Sequence, residues 1–192
     1  MLRNPSVRLV TDAVQKIDGN RLITEQGDAF EADVLIIATG FDVLRFITTY
    51  DAVGRSGRTL REVWDDDNAQ AYMGTVIPDF PNFFTLYGPN LQPGHGGSLI
   101  FVVEMQMHYI MDVIRKMAAA DLASVECRQD VHDAYNRGVD KAHEQMVWTH
   151  EGMQTYYRNA RGRIVVNSPY RNVDFFEMTR EADLADYRTE KK

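Results

Sequence analysis

Asp33-Val34-Leu35-Ile36-Ile37-Ala38-Thr39-Gly40 is a continuous apolar run closed by a glycine, and the fold turns on how it is read. A strand with one wet face alternates polar and apolar residues, whereas a strand covered on both faces of a parallel sheet does not. The run therefore predicts a buried, parallel-type strand. Phe83-Phe84-Thr85-Leu86-Tyr87 repeats the pattern and stops at Gly88-Pro89-Asn90. Two such strands in one chain predict an α/β fold.

Upstream of the first run, Val7–Val10, Val14–Ile17 and Arg21–Thr24 read as short strands, and Asp18-Gly19-Asn20 and Gln26-Gly27-Asp28 read as hairpin turns. Downstream, residues 41–82 are broken by Gly54, Gly57, Pro78 and Pro81 and read as a connection. After the glycine-rich Gly94-His95-Gly96-Gly97, apolar residues recur at Leu99, Val102, Val103, Ile110, Val113, Ile114 and Met117. That spacing predicts a long helix from Ser98, its N-cap, to about Ala120. Val131, Tyr135, Val139, Ala142 and Met146 predict a second amphipathic helix ending near Trp148. Thr155–Arg158 and Arg163–Val166 predict a hairpin about Asn159–Gly162, and Glu190-Lys191-Lys192 reads as a frayed tail.

Composition narrows the function. The chain has 192 residues, 44% hydrophobic and 26% charged, which is globular usage with enough length for a real core. Its 21 basic and 28 acidic residues leave a net charge of -7, so it carries no electrostatic footprint for nucleic acid or an anionic membrane. One cysteine, Cys127, excludes an internal disulfide framework and a paired-cysteine redox site. No run of about 18 apolar residues is present to span a bilayer, and the first residues lack the apolar core of a signal peptide, so a cytoplasmic location is expected.

Ligands of open parallel sheets bind beyond the carboxyl ends of the strands. Gly40 and Gly88 mark two such ends. The second is the stronger candidate, because Gly94, Gly96 and Gly97 let the backbone approach a ligand while the helix starting near Ser98 offers its positive dipole end. A planar, partly anionic ligand suits that place.

The residues also carry a resemblance. Asp33 to Phe41, D-x-L-I-I-A-T-G-F, resembles the "ATG" strand of flavin-containing monooxygenases. Tyr72-Met73-Gly74 followed by Pro78 to Asn90 resembles the return segment of Baeyer-Villiger monooxygenases, of the 4-hydroxyacetophenone monooxygenase type. The pattern continues through Gly94-His95, Glu104, Trp148, Gly152, Tyr156-Tyr157, Gly162 and Pro169. It implies the C-terminal portion of a flavoprotein with two dinucleotide-binding domains, using FAD and NADPH with dioxygen to insert oxygen beside a ketone carbonyl or onto a heteroatom. By the same analogy residues 1–45 are the end of the NADPH-binding domain and the linker, 46–122 the return segment of the FAD-binding domain, and 123–192 a C-terminal helix and hairpin extension. The cofactor edge would be Thr39, Gly40, Gly88, Pro89, Asn90, Gly96, Gly97 and Ser98.

Departures from the pattern bound the expectation. The sequence holds no G-x-G-x-x-G and no F-x-G-x-x-x-H-x-x-x-W, so both dinucleotide fingerprints and the family signature are missing. The expectation is a C-terminal fragment, inactive alone, that binds FAD weakly or not at all and self-associates through apolar surface left open. Two alternatives stand: a fragment of an N- or S-hydroxylating flavin monooxygenase, or a non-catalytic interaction module. His95 reads as a solvated loop residue or a group near the flavin, and Glu104 as a carboxylate that is paired or faces solvent. Trp64, Trp148, Tyr156 and Tyr157 pack or line a substrate pocket. Arg45 is a surface charge or a phosphate contact, Asp65-Asp66-Asp67 an exposed turn with no metal shell, and Cys127 incidental.

Overall fold

The computed structural model describes residues 3–94, 96–153 and 155–192. His95, on which one functional expectation fell, lies outside the described residues. The chain divides into two compact units, residues 1–41 and 42–192.

In the first unit β1 (Val14–Asp18), β2 (Arg21–Thr24) and β3 (Ala29–Glu31) form an antiparallel meander, with Ile17 opposite Leu22 and Leu22 opposite Phe30. Gly19 and Gly27 take positive φ in the two turns, the conformation that tight hairpins demand. Two expectations fail here. Val7–Val10 forms no strand, and Asp33–Gly40 forms none either, with Val34, Ile36 and Ile37 exposed at 78%, 83% and 76%. A strand apolar on both faces needs a neighbour on each edge and cover above and below, and among the described residues nothing pairs with this one.

The second unit holds α1 (Leu60–Val63), β4 (Gln92–Pro93), α2 (Leu99–Ala119), β5 (Leu122–Cys127), α3 (Gln129–His143), β6 (Asn167–Ser168), α4 (Asn172–Thr179) and β7 (Tyr187–Lys191). Thr59 and Glu62 cap α1 reciprocally, a capping box that satisfies two N–H groups at the helix start. β4 pairs with β6 in parallel, and β5 pairs with β7 antiparallel. The architecture is α/β, with its parallel pairing at β4–β6. Phe83–Tyr87, expected as a second buried strand, carries no ladder; Thr85 N–H donates to the Thr75 carbonyl and little else holds that backbone as sheet. The expected hairpin about Asn159–Gly162 is present only as a short antiparallel bridge between Arg158 and Ile164, closed by Asn159 N–H to the Arg163 carbonyl and Val165 N–H to the Tyr157 carbonyl, while the carbonyls of Val165 and Val166 accept from Asn90 and Gln92. The expected frayed tail is β7, because Val125, Cys127 and Tyr187 are buried and pull Tyr187–Lys191 into register with β5.

α2 is the spine. Its inner face, Val102, Met105, Gln106, Tyr109, Ile110 and Val113, is buried against β5 and α4, together with Tyr72, Leu91, Val125, Phe175 and Tyr187. Each fully buried apolar side chain contributes roughly 1.5–3 kcal/mol. The tyrosines at this core are paired: the Tyr109 and Tyr187 hydroxyls share a 2.6 Å hydrogen bond, and Tyr72 donates to Asp186 at 2.7 Å. A second cluster, Leu60, Trp64, Ala69, Ile77, Phe80 and Val165, packs against Leu44, Phe46 and Ile47. No helix among the described residues is long and apolar enough to cross a membrane.

Candidate active site

The segment 87–99 builds the site. Tyr87 and Asn90 have left-handed φ values of 52° and 59°, which turn the chain sharply on either side of Gly88 and Pro89. Gly88 is required by contact: a side-chain carbon there would run into the Gly74 carbonyl. The Asn90 side chain turns inward, not toward a ligand. Its amide donates to the carbonyls of Ile164 (2.8 Å) and Asn167 (3.2 Å), and its carbonyl accepts from Arg163 (3.0 Å). β4 then lies beside β6 and delivers the chain to Gly94, Gly96 and Gly97.

Glycine is required again at this loop. A side-chain carbon on Gly94 would strike the Trp148 ring, and one on Gly97 would come within 2.5 Å of Asn172 Nδ2. Gly97 also has φ +86° and Gly96 φ +62°. The loop leads into α2, whose N-cap is Ser98 as expected, although the Ser98 side chain makes no capping hydrogen bond and the first turn carries no acidic residue. The N–H groups of Leu99, Ile100 and Phe101 therefore lie at an uncapped helix start, with the positive end of a 21-residue helix.

Two clefts meet there. One, of about 310 Å³, lies between the Gly94, Gly96 and Gly97 loop, Trp148, and the Ser168–Asn172 segment. The other, of about 550 Å³, is bordered by Tyr87, Gln92, Gly96, Gly97 and Leu99. Trp148 donates through Nε1 to His143 Nδ1 at 2.9 Å, which fixes the indole as a wall. Burial and the nearby Arg163 guanidinium push His143 down to about 4, so it is neutral at physiological pH. Arg171 at the rim is occupied by a two-pronged pairing with Asp174 at 2.8 and 2.6 Å. Among the described residues, those facing the first cleft include no Asp, Glu or His.

Of the expected cofactor-edge residues, Gly96, Gly97 and Ser98 stand together at this uncapped helix start, and Gly88, Pro89 and Asn90 form the buried turn that feeds it. Thr39 and Gly40 belong to the first unit. The other candidates resolve simply. Trp64 is buried and donates to the Gln70 carbonyl at 2.8 Å. Tyr156 is exposed and donates to the Tyr157 hydroxyl at 2.9 Å. Arg45 pairs with Asp66 at 3.0 Å, and Arg161 with Asp65. Glu104 is exposed.

These features have counterparts elsewhere. No protein-family model matches the chain. An uncharacterized monooxygenase of Sinorhizobium fredii is 50% identical over 188 residues, covering 98% of this chain and 28% of that protein. A Baeyer-Villiger monooxygenase of Streptomyces coelicolor is 31% identical over 188 residues, covering 97% of this chain and 36% of its own length. The chain is thus similar, over nearly its whole length, to one part of monooxygenases that include a Baeyer-Villiger monooxygenase. It spans about a third of the length of the curated relatives it matches. A crystal structure of cyclohexanone monooxygenase from a Rhodococcus species, bound to NADP+, superposes on the whole chain with a TM-score of 0.73 at 18% identity, covering 37% of that enzyme, so the fold is shared with that part of it.

Against that monooxygenase fold, the residues that sequence reasoning missed are polar ones inside the second unit: Gln106, Asn136 and His143, which are buried, and Arg163, which is partly buried. Gln106 sits at 0% exposure in an apolar helical face, and that placement was the only signal in the sequence. For Arg163 there was none, since its partners lie 23, 27, 73 and 94 residues away.

Proposed function

We propose that this chain supplies the flavin-bordering and closing portion of an FAD- and NADPH-dependent monooxygenase whose parent activity inserts oxygen from dioxygen beside a ketone carbonyl. The observation that carries the reading is the uncapped N-terminus of α2, free of acidic residues, opening onto a cleft bounded by Gly94 and Gly97, where a side-chain carbon would clash with Trp148 or Asn172. FAD, when bound, supplies the redox chemistry with dioxygen, and NADPH the reducing equivalents. Within the second unit, Gly88, Pro89, Asn90, Gly96, Gly97 and Ser98 would border it. The N–H groups at the start of α2 favour negative charge on the ligand, a role backbone dipoles fill without reorganisation. Trp148 and Tyr170 wall the cleft.

The same proposal assigns residues 1–45 to the end of the NADPH-binding domain and linker, 46–122 to the return of the FAD-binding domain, and 123–192 to the C-terminal extension. It places the enzyme in the cytoplasm, where NADPH is made. Self-association of the isolated chain is part of it too, supported by the outer face of α2, where Ile100, Met107, Met111 and Ile114 form an exposed apolar stripe.

The test is a flavin titration followed by fluorescence quenching, on the chain alone and after adding the N-terminal portion of its Sinorhizobium fredii relative. Weak quenching alone and saturable quenching with NADPH oxidation in the mixture are expected. Absence of flavin binding in both would sink the proposal.

A further inference from the structure

Arg163 is buried to a degree unusual for an arginine, with 12% of its side chain exposed, and its guanidinium reaches three separate segments. Nε donates to Asp140 at 2.8 Å on α3, Nη1 to the Ala69 carbonyl at 2.9 Å, and Nη2 to the side-chain carbonyls of Asn90 at 3.0 Å and Asn136 at 3.4 Å. The contact with Asn90 is the consequential one. Asn90 holds a left-handed backbone conformation, which asparagine tolerates better than most side-chain-bearing residues. Its amide group is held on both sides, by Arg163 on the oxygen and by the Ile164 and Asn167 carbonyls on the nitrogen. Its backbone N–H donates to the Val165 carbonyl at 2.8 Å, and two residues on Gln92 N–H donates to Val166 at 3.1 Å. The turn is thus clamped to the segment that follows Arg163, and the direction in which the chain enters Gly94, Gly96 and Gly97 is set by that clamp.

We propose that Arg163 is a positioning residue for the flavin edge: through Asn90 it holds the Gly88–Asn90 turn, and with it the glycine loop and the start of α2, in the conformation that accepts the cofactor. This rests on the reading of that edge under Proposed function. Lysine cannot replace arginine here, because a single ammonium lacks the planar fork that answers carboxylate, carbonyl and amide acceptors together.

The experiment compares the wild-type chain, Arg163→Lys and Asn90→Gly. Asn90→Gly keeps the left-handed turn and removes the amide that Arg163 holds, so it serves as the second route if the buried lysine fails to fold. Amide hydrogen exchange on the chain alone reads the turn directly. Both variants should raise exchange at Gln92 by about 10-fold or more, while Tyr109 and Val113 in α2 stay within about twofold. FAD titration in the presence of the relative's N-terminal portion should then show about 10-fold weaker binding, which is about 1.4 kcal/mol. Uniform acceleration across α2 as well as the turn, or unchanged exchange at Gln92, overturns the proposal. So does faster exchange at the turn with FAD affinity equal to wild type. If the wild-type mixture takes up no FAD, it is the flavin reading that falls, and the proposal falls with it; if wild type binds and both variants bind equally, the positioning role alone falls.

Discussion

Gln106 Oε1 accepts the Tyr87 N–H at 2.7 Å, and the same side chain donates through Nε2 to the Gly74 carbonyl, the Thr75 hydroxyl and the Thr85 carbonyl at 3.0, 2.8 and 3.3 Å. One fully buried amide on α2 thereby ties the Gly74–Thr75 turn and the segment ending at Tyr87 to the helix whose start forms the site.

Replacing Gln106 by leucine strands the Tyr87 N–H and loosens the Gly74 carbonyl. Each buried group left unpaired costs about 1–3 kcal/mol, so Gln106→Leu should lose roughly 3 kcal/mol in denaturant unfolding despite being more apolar. A variant as stable as the wild type would show that water reaches this pocket and that the amide is not the tie.

The Gly94 loop makes a prediction by contrast. Gly96→Ala meets only the left-handed penalty, since nothing lies within 4 Å of the added carbon, and should cost about 1 kcal/mol. Gly94→Ala drives into the Trp148 ring and should cost more, with a shift in Trp148 fluorescence as the indole moves. Equal melting temperatures for the two would remove the packing argument for the cradle.

His143 sets a pH dependence. Its folded value is lowered to about 4 against 6.5 for the free side chain, through burial first and then the Arg163 charge. As pH falls below about 6.5 the unfolded chain takes up the proton first, so stability is complete above that value and is lost on the way down to about 4. The loss should reach roughly 2–3 kcal/mol. Unfolding free energies measured from pH 8 to 4 should show this slope, and His143→Gln should be less stable at pH 8 but flatter with pH.

Cys127 is buried, and its thiol is pushed up to about 12 by that burial and by the surrounding carboxylates, Asp186 first. The thiolate is the reactive form, so the native chain should resist a disulfide reagent at pH 8 and react once denatured. Rapid reaction of the native chain would mean that β5 opens from β7 far more readily than its pairing implies.

The outer stripe of α2 predicts association. Met107→Lys with Met111→Lys should reduce dye binding and self-association by light scattering while changing the melting temperature little, because both side chains already face outward. Unchanged association would place the contact elsewhere.

Local pattern alone determined several things about this protein. The periodicity from Leu99 onward located α2 to within a residue at its start, the spacing from Val131 located α3 although it ends at His143 and not near Trp148, and the turns at Gly19 and Gly27 located β1 and β2, because helix faces and hairpins are written in neighbours three, four or two residues apart. The glycines of the candidate site stood out in the sequence, but the Trp148 and Asn172 contacts that require Gly94 and Gly97 did not. Tertiary structure alone decided the rest. Asp33–Gly40 has a strand's composition but no neighbour among the described residues to bond with, and Tyr187–Lys191 has a tail's composition but is held by β5, from which it is separated by about sixty residues of chain. Whether Asn90 faces a ligand or Arg163 likewise depended on which acceptors long-range packing brought to the guanidinium, since a buried charge takes its partners from wherever the fold places them.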